Sequence, residues 1–343
     1  MKVLCAMSGG VDSSVSAALL KEQGYDVLGI TMQIWPGKKD FGGCCGLKEI
    51  EDAKEVCRVL GIPHYTVNYR EEFKKYVIQN FIEEYKNGRT PNPCIRCNEF
   101  LKFKLLLKKA EELGCTKIAT GHYAQIKDGR LFKGVDQRKD QSYVLYMMNR
   151  ESLRKTLFPM GEYTKEEGRK LAKKFKLPVA EKKESQEICF IDDDNYGRFL
   201  KENIPEAINP GDIIDQSGIV VGKHKGIIFY TIGQKKGIGA YGARKFVTKI
   251  DVLKNTITIG NDNDLMGNTL TADHVTFTSG QAPEGEIEVA AKIRYNSKES
   301  PAILSANDNI VRLNFKENQR AITPGQSVVF YKGDEVIGGG IIN

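Results

Sequence analysis

The sequence of 343 residues lacks several features that would assign it to a large class of proteins. No apolar run approaches the roughly 18 residues that span a bilayer, so neither a membrane-spanning helix nor a membrane partner is expected. The amino end enters a strand-like segment directly, without a signal-peptide pattern, so we expect a cytoplasmic protein. In that reducing compartment the eight cysteines are expected to be reactive thiols, metal ligands or core residues, not structural disulfides.

Two familiar motifs are also missing. No Gly-Lys-Ser/Thr triplet is present, which excludes the usual lysine-containing nucleotide loop. No His-x-Glu accompanies the single Cys-x-x-Cys at Cys94 and Cys97, which argues against a zinc deaminase. A zinc site would need help from Cys44 and Cys45, so Cys-x-x-Cys stays open between a structural and a catalytic role. The net charge of +7 permits a nucleic-acid partner without proving one.

The amino end carries the most informative motif. Lys2–Met7 is short and apolar and predicts a buried strand, and apolar residues at helical spacing follow as far as Gly24. Between them, Ser8–Ser13 (SGGVDS) forms a double-glycine turn at a helix N-terminus, where backbone N–H groups and the helix dipole favour an anion. AMSGGVDSS resembles the pyrophosphate loop of the ATP pyrophosphatase superfamily, whose members split ATP into AMP and pyrophosphate. The alternative is a ligand-free turn capped by Asp12.

The rest of the chain divides into two parts of different character. In the first part strand-like and helical segments alternate, which predicts an α/β fold with a doubly wound parallel sheet. Within it, 89–97 (RTPNPCIRC) is predicted to be irregular, with both thiols just before a helix whose N-terminus favours a thiolate. Cys5, Cys57 and Cys115 occupy apolar positions and are predicted to lie in the core. From about Gly211, short stretches rich in Val, Ile, Thr and Phe predict small β-barrel modules.

Several segments, taken in order, resemble the tRNA-specific 2-thiouridylase family, which replaces oxygen by sulfur at C2 of the wobble uridine of tRNA. They are AMSGGVDSS, TPNPCIRCN, ATGHYAQI, KDQSYVLY, SQEICFI, YTIGQKKGIG and KIRYN. The resemblance implies three domains. These are an ATP pyrophosphatase-type catalytic domain (1–205), a small central β-rich domain (206–268) and a C-terminal β-barrel that contacts tRNA (269–343).

The resemblance also implies roles for individual residues. Cys97 corresponds to the catalytic nucleophile and Cys189 to the cysteine that carries the persulfide. The implied ATP contacts are Ala6, Met7, Ser8, Gly9, Gly10, Val11, Asp12, Ser13, Met32 and Gly121. The implied contacts with the target base are Asn92, Pro93 and Cys94. The implied contacts with the rest of the tRNA are His122, Lys139, Asp140, Gln141, Arg294, Tyr295 and Gln326.

The implied reaction is chemically coherent. ATP, with Mg²⁺, adenylates the C2 oxygen so that AMP becomes the leaving group, a persulfide sulfur attacks C2, and a second thiol resolves the intermediate, leaving a disulfide or a thiol. The partners are the anticodon loop of a tRNA and a sulfur-donor protein, such as a cysteine desulfurase or a sulfur relay protein. Many family members have Asp in place of Cys94. An iron–sulfur cluster on Cys94, Cys97 and Cys189 is therefore an alternative, which we do not favour because the persulfide route needs no cofactor.

Two other functions explain part of the sequence. An ATP-dependent amidating ligase would account for Ser8–Ser13 but not for Cys97, Cys189 or the β-rich tail, and it would depend on glutamine or ammonia. A non-catalytic RNA-binding or redox-sensing protein with a relic loop would not consume ATP when tRNA is added.

Overall fold

The computed structural model describes residues 1–34, 46–183, 188–191, 193, 195–239, 241, 244–307 and 309–343. Cys44 and Cys45, the possible contributors to a zinc site, lie outside these ranges. Within them, no helix has both the length and the apolar character needed to cross a membrane.

Strands and helices alternate in the amino-terminal half of the chain, and strands dominate the carboxyl-terminal half. The strands are β1 Lys2–Ala6, β2 Asp26–Gln33, β3 His64–Asn68, β4 Lys117–Ala119, β5 Ala124–Lys127, β6 Arg130–Lys133, β7 Thr156–Leu157, β8 Gly211–Ile214, β9 Val220–His224, β10 Phe246–Asp251, β11 Thr256–Gly260, β12 Met266–Phe277, β13 Glu286–Lys292, β14 Ser300–Asn307, β15 Ile310–Arg320, β16 Ser327–Lys332 and β17 Glu335–Ile342. The helices are α1 Val11–Glu22, α2 Leu47–Leu60, α3 Arg70–Phe73, α4 Gln79–Lys86, α5 Pro93–Cys97, α6 Leu106–Glu112, α7 Arg150–Arg154, α8 Lys165–Lys174 and α9 Tyr196–Asn203. The π-helical segments Lys74–Ile78 and Asn98–Leu105 join α3 to α4 and α5 to α6.

The amino-terminal sheet is parallel, with strand order β3-β2-β1-β4-β7. Val3, Leu4 and Cys5 of β1 are fully buried, as expected for a central strand covered on both faces. The chain moves outward from β1 to β3 and then returns to the other side of β1 at β4. This reversal places the switch point between β1 and β4, where doubly wound sheets bind their ligands. The predicted doubly wound α/β sheet is confirmed.

Two close backbone approaches, one in the loop after β1 and one after β4, allow only glycine. Gly9 has φ of +68°, and a Cβ there would lie 2.3 Å from the carbonyl oxygen of Glu49 in α2. Gly121, which follows β4, would place a Cβ 2.7 Å from the backbone nitrogen of Ser13 in α1. Contacts this short exclude any side chain. Because neither position carries a side chain, the start of α1, the start of α2 and the end of β4 can lie close together at one edge of the sheet.

The cysteine-containing segment is helical where the sequence predicts it to be irregular. Helix α5 begins at Pro93 and continues through the π-helical segment into α6. Proline is well suited to a first helical position, because its missing N–H would have no partner there. The Asn92 side chain caps the helix by accepting a hydrogen bond from the Cys94 N–H at 3.1 Å. Residues 89–92 are irregular as predicted, but the prediction was wrong for 93–97, and Cys94 and Cys97 lie in the first two helical turns instead of preceding them.

The carboxyl-terminal part forms two β-structures. Strands β10-β11-β8-β9 make a four-stranded sheet. Strands β12-β15-β14-β13-β16-β17 make a six-stranded barrel, which the pairing of β12 with β17 closes. The hairpin β5–β6, although it comes from the amino-terminal half, extends this sheet through the pairing of Phe132 with Glu335. The predicted β-rich central domain and C-terminal barrel are confirmed as architecture.

The barrel and the parallel sheet share one hydrophobic core. A single cluster contains Leu4 and Ile118 of the parallel sheet together with Tyr331 of the barrel. Tyr143 bridges them, because its hydroxyl donates a hydrogen bond to the carbonyl oxygen of Ser327 at 2.7 Å while its ring is fully buried. The amino-terminal part therefore relies on the barrel to cover part of its apolar surface.

We expect a fragment of residues 1–205 to be markedly less stable than the same region in the whole chain. Exposing one large apolar side chain costs about 1.5–3 kcal/mol. Removal of the barrel uncovers both Tyr143 and Tyr146, which are buried and bind Ser327 of the barrel. Urea unfolding followed by circular dichroism tests this expectation. A fragment that unfolds at the same urea concentration as the whole chain would show that the shared core contributes little.

We also expect Gly9→Ala to cost about 1–3 kcal/mol more than Gly114→Ala. Both glycines have φ of +68°, but a Cβ at Gly114 would meet nothing within 4 Å, whereas at Gly9 it would meet a backbone oxygen. The shared backbone strain, about 1–2 kcal/mol for a left-handed residue, cancels in the comparison. Urea unfolding of the two variants measures the difference, and equal losses would contradict the close approach to Glu49.

Candidate active site

Hydroxyl groups within the loop after β1 and on the neighbouring strand β2 hold this loop in place through hydrogen bonds. The Ser8 N–H donates to Ser13 Oγ at 3.2 Å, and Ser13 Oγ donates to the Gly10 carbonyl oxygen at 3.2 Å. Thr31 of β2 donates from Oγ1 to the Met7 carbonyl oxygen at 2.8 Å. The segment from Met7 to Ser13 is thus already held as a compact turn, with Gly10 at the N-cap of α1. A turn ordered in advance binds an anion with little further loss of entropy.

Asp12 is held by two side chains from distant parts of the chain. Tyr123 Oη donates a hydrogen bond to Asp12 Oδ1 at 2.8 Å. Lys165 Nζ lies 2.7 Å from Oδ1 and 2.8 Å from Oδ2 of the same carboxylate. Lys165 is 153 residues away in the sequence and is the first residue of α8. Sequence reasoning missed Lys165, because a helix-initiating lysine belongs to no motif and its contact exists only in the folded chain.

Cys97 and Cys189 lie in one hydrophobic cluster. Cys97 is 9% exposed and belongs to the cluster that also contains Met32, and Cys189 is partly buried against it. Phe190, next to Cys189, has its ring centroid 5.7 Å from that of Phe73 and 5.3 Å from that of Phe81. These edge-to-face contacts anchor the residue beside Cys189. The two implied catalytic cysteines and the implied ATP contact Met32 therefore border the same hydrophobic cluster.

The three cysteines assigned to the core are buried as predicted. Cys5, Cys57 and Cys115 are 0%, 1% and 5% exposed. Burial raises the pKa of the Cys57 thiol to about 12 and raises those of Cys5 and Cys115 as well. These thiols stay protonated at neutral pH and are poor nucleophiles.

The described part of the chain contains no ready-made metal centre. In the ranges that the structure describes, no three His, Cys, Asp or Glu side chains are grouped so that they could hold a metal ion. Cys94, Cys97 and Cys189 all lie within those ranges.

The segment before α5 is bound by the C-terminal barrel. The Thr90 N–H donates to the Pro324 carbonyl oxygen at 2.8 Å, and Gln326 Nε2 donates to the Thr90 carbonyl oxygen at 2.9 Å. Arg89 adds a hydrogen bond from Nη2 to the carbonyl oxygen of Ile342 at 3.1 Å. Gln326, implied as a tRNA contact, thus positions the backbone that leads into Asn92, Pro93 and Cys94.

Residues 140 and 141 link the surroundings of Asp12 to those of Cys94. Tyr295 Oη donates to the Asp140 carbonyl oxygen at 3.1 Å, and Gln141 Oε1 accepts from the Tyr123 N–H at 2.9 Å. The pKa of Tyr295 is raised, first by burial and then by the nearby Asp140 and Cys94. Cys94, Asp140 and Tyr295 therefore form one neighbourhood, which is linked through Gln141 to a partner of Asp12.

The other implied tRNA contacts differ in exposure. His122 is 7% exposed, and its Nδ1 lies 2.7 Å from Thr120 Oγ1. Burial lowers the pKa of His122 well below the usual value, so the ring is neutral at neutral pH. Arg294 Nη2 donates to the Ala321 carbonyl oxygen at 2.6 Å, and burial lowers its pKa. Lys139, by contrast, lines a cavity of about 290 Å³. The structure does not bring His122, Arg294 and Lys139 together as one exposed surface.

Family models match nearly the whole chain. Residues 1–193 match a tRNA methyl transferase HUP domain, residues 197–261 a tRNA methyl transferase PRC-barrel domain, and residues 267–342 an aminomethyltransferase beta-barrel domain. A solved 4-thiouridine synthetase in complex with RNA and ATP aligns with 60% of this chain and 50% of that chain at 17% identity. Its TM-score of 0.37 is too low to inform fold or function.

Relatives of full length are much more similar. A Clostridium perfringens protein named tRNA-specific 2-thiouridylase MnmA is 51% identical over 351 residues, covering 99% of this chain and 98% of the relative. The protein of that name from Clostridium botulinum strain Alaska E43 is 53% identical over 351 residues, with 99% and 97% covered. A MnmA 1 protein from Caldanaerobacter subterraneus is 52% identical over 354 residues, with 99% and 97% covered. This chain belongs to the tRNA-specific 2-thiouridylase family.

Proposed function

We propose that this enzyme replaces the C2 oxygen of the wobble uridine of tRNA with sulfur, and that it uses ATP to do so. The observation that carries the proposal is that Cys97, Cys189 and Met32, the last near the carboxyl end of β2, border one hydrophobic cluster. A thiolation that needs both an activated oxygen and a sulfur carrier requires these two features close together. The cytoplasmic location and the domain boundaries after residues 205 and 268 are parts of the same proposal.

ATP activation is assigned to the loop at the switch point. Residues 6–13 and Gly121 would surround the phosphates, and Met32 would contact the nucleotide. Mg²⁺ is commonly bound by one or two carboxylates together with substrate phosphates, and Asp12 is suited to that role. When bound, the ion would neutralise charge on the leaving pyrophosphate. The uridine C2 oxygen attacks the α-phosphorus, the bond to the β-phosphate breaks, and the uridine becomes adenylated.

Sulfur transfer is assigned to Cys189 and Cys97. The terminal sulfur of a Cys189 persulfide attacks C2, and AMP leaves with the former C2 oxygen. The Cys97 thiolate then attacks the sulfur of Cys189, and the electron pair of the broken S–S bond goes to the sulfur that stays on the base. The products are 2-thiouridine and a disulfide between Cys97 and Cys189. A cellular dithiol reductant must supply two electrons to restore the thiols before a sulfur-donor protein reloads Cys189.

The tRNA is proposed to bind around the start of α5. A wobble base must leave the anticodon stack to reach a thiol, and unpaired bases are recognised by stacking and hydrogen bonds. Asn92, Pro93 and Cys94 would meet this base, with Lys139, Asp140, Gln141 and Tyr295 nearby. His122, Arg294 and Gln326 would support these residues from the protein side of this surface. The net charge of +7 favours association with the phosphates.

The direct test is nucleoside mass analysis of tRNA after incubation with the full chain, ATP, Mg²⁺, a cysteine desulfurase with cysteine as the source of persulfide sulfur, and a dithiol reductant. We expect one uridine oxygen to be exchanged for sulfur only when ATP is present. Two family models are described as tRNA methyl transferase domains, so a parallel reaction contains S-adenosylmethionine instead of ATP. Methyl transfer without thiolation would overturn the proposal.

The cysteine assignments predict that Cys97→Ser and Cys189→Ser each reduce thiolation to background, because one thiol carries sulfur and the other resolves the intermediate. Cys115→Ser, a buried cysteine outside the cluster, is the control and should remain active. The same nucleoside analysis measures all three variants.

Cys94→Asp separates the two sulfur-transfer schemes. The persulfide route does not use this thiol as a sulfur carrier, so the variant should still form 2-thiouridine. If an iron–sulfur cluster is required, anaerobically purified protein will contain stoichiometric iron, and Cys94→Asp will alter the cluster and the activity. Iron analysis and nucleoside analysis of the two proteins distinguish these results.

A further inference from the structure

The loop after β1 has no lysine, although the common phosphate-binding loops end in one. The fold brings one to it from elsewhere. Lys165 Nζ lies within 2.8 Å of both oxygens of Asp12, and its side chain is only 12% exposed. Asp12 is in the first turn of α1, the helix whose N-terminus faces the expected phosphates. A lysine ammonium is therefore held beside the part of the loop where negative charge is expected.

The backbone at Lys165 is fixed by several contacts. Thr164 and Glu167 form a capping box that sets the start of α8. The Lys165 N–H donates to Asp136 Oδ2 at 3.0 Å, and the Lys165 ammonium lies 5.7 Å from the centre of the Tyr123 ring. These contacts reduce the freedom of a side chain that would otherwise lose about 2 kcal/mol of rotamer entropy on binding a ligand.

We propose that Lys165 is the phosphate-binding lysine of this ATP site. This inference rests on the proposed use of ATP. When ATP binds, phosphate oxygens take the place of the Asp12 carboxylate around Nζ, and Asp12 would then be able to hold Mg²⁺. When the bond between the α-phosphorus and the β-phosphate oxygen breaks, negative charge accumulates on the departing pyrophosphate, and Lys165 stabilises that charge.

The surroundings of Lys165 favour an anion. The cavity of about 290 Å³ is lined by Asp136, Arg138, Lys139, Thr164, Lys165 and Glu166. Its acidic groups are compensated, because Asp136 accepts hydrogen bonds from the Lys165 and Arg138 N–H groups and Glu166 pairs with Lys170 at 2.9 Å. The cations Arg138 and Lys139 therefore add positive charge beside Lys165. Such a cavity suits a polyphosphate that enters or leaves along this side.

The competing explanation is a purely structural ion pair that joins α1 to α8. A structural role would lower stability when Lys165 is replaced, but it would not change the affinity for pyrophosphate separately from that for AMP. Those two products share the site and differ in which phosphates they present. Their separate binding therefore distinguishes the two roles.

The test uses the full chain with Lys165→Met and Lys165→Arg, and Lys174→Met as the control. Lys174 is on the same helix and pairs with Glu22 of α1 at 3.0 Å, outside the cavity lining and with no contact to Asp12 among the described residues. Binding of inorganic pyrophosphate and of AMP is measured by calorimetry in Mg²⁺, and AMP formation is measured with tRNA. Circular dichroism melts verify that each variant is folded.

We expect Lys165→Met to weaken pyrophosphate binding at least tenfold, to leave AMP binding within twofold, and to lower kcat for AMP formation by about 10²–10³-fold, the usual effect of losing one transition-state donor. Lys165→Arg should restore part of the affinity. A folded Lys165→Met that binds pyrophosphate like the wild type would overturn the inference. If the wild type forms no AMP but binds pyrophosphate through Lys165, the proposed function fails and this inference stands.

Discussion

The hydrogen bonds between Gln326 of the barrel and the backbone of Thr90 join distant parts of the chain just before α5 begins. They act together with the core that Tyr143 shares between the parallel sheet and the barrel. Neither contact can form unless the barrel is folded against the sheet. The position of Cys94 relative to the loop containing Asp12 therefore depends on the packing of the last strands against the first ones.

Residues 136–141 connect the two sides of the site. On one side, Asp136 holds the backbone of Lys165, and Gln141 holds the backbone of Tyr123. Both of these partners contact Asp12. On the other side, the Asp140 carbonyl oxygen accepts a hydrogen bond from the Tyr295 hydroxyl, near Cys94. A nucleic acid that docks on this segment would thus contact the supports of the loop after β1 and of the cysteine helix together.

Local sequence patterns were sufficient to predict most features that depend on residues close together in the chain. The strand, double-glycine turn and helix at the amino end were predicted because strand burial, glycine geometry and helical spacing agree within two dozen residues. The helix at Pro93 was missed because two prolines were weighed as helix breakers, although proline is favoured at a first helical position. The hairpin β5–β6 was also missed, despite Asp128-Gly129, a pair typical of tight hairpin turns.

Contacts between distant residues were beyond sequence reasoning, because the pairing of Lys165 with Asp12 requires α8 to lie against α1 and no spacing in the chain specifies that placement.

The distribution of the cysteines shows how one fold can hold both fully enclosed and partly accessible thiols. Cys5 and Cys57 are enclosed by apolar atoms, which raises the pKa of each thiol and keeps it protonated. Cys189 lies at the margin of a cluster of aromatic rings, where it is partly accessible to a donor. A persulfide formed there would be shielded on one side from bulk thiols that would otherwise remove its sulfur, and a water-poor site limits such side reactions. Cys97, 9% exposed in that same cluster, is suited to meet this sulfur once the base has received it.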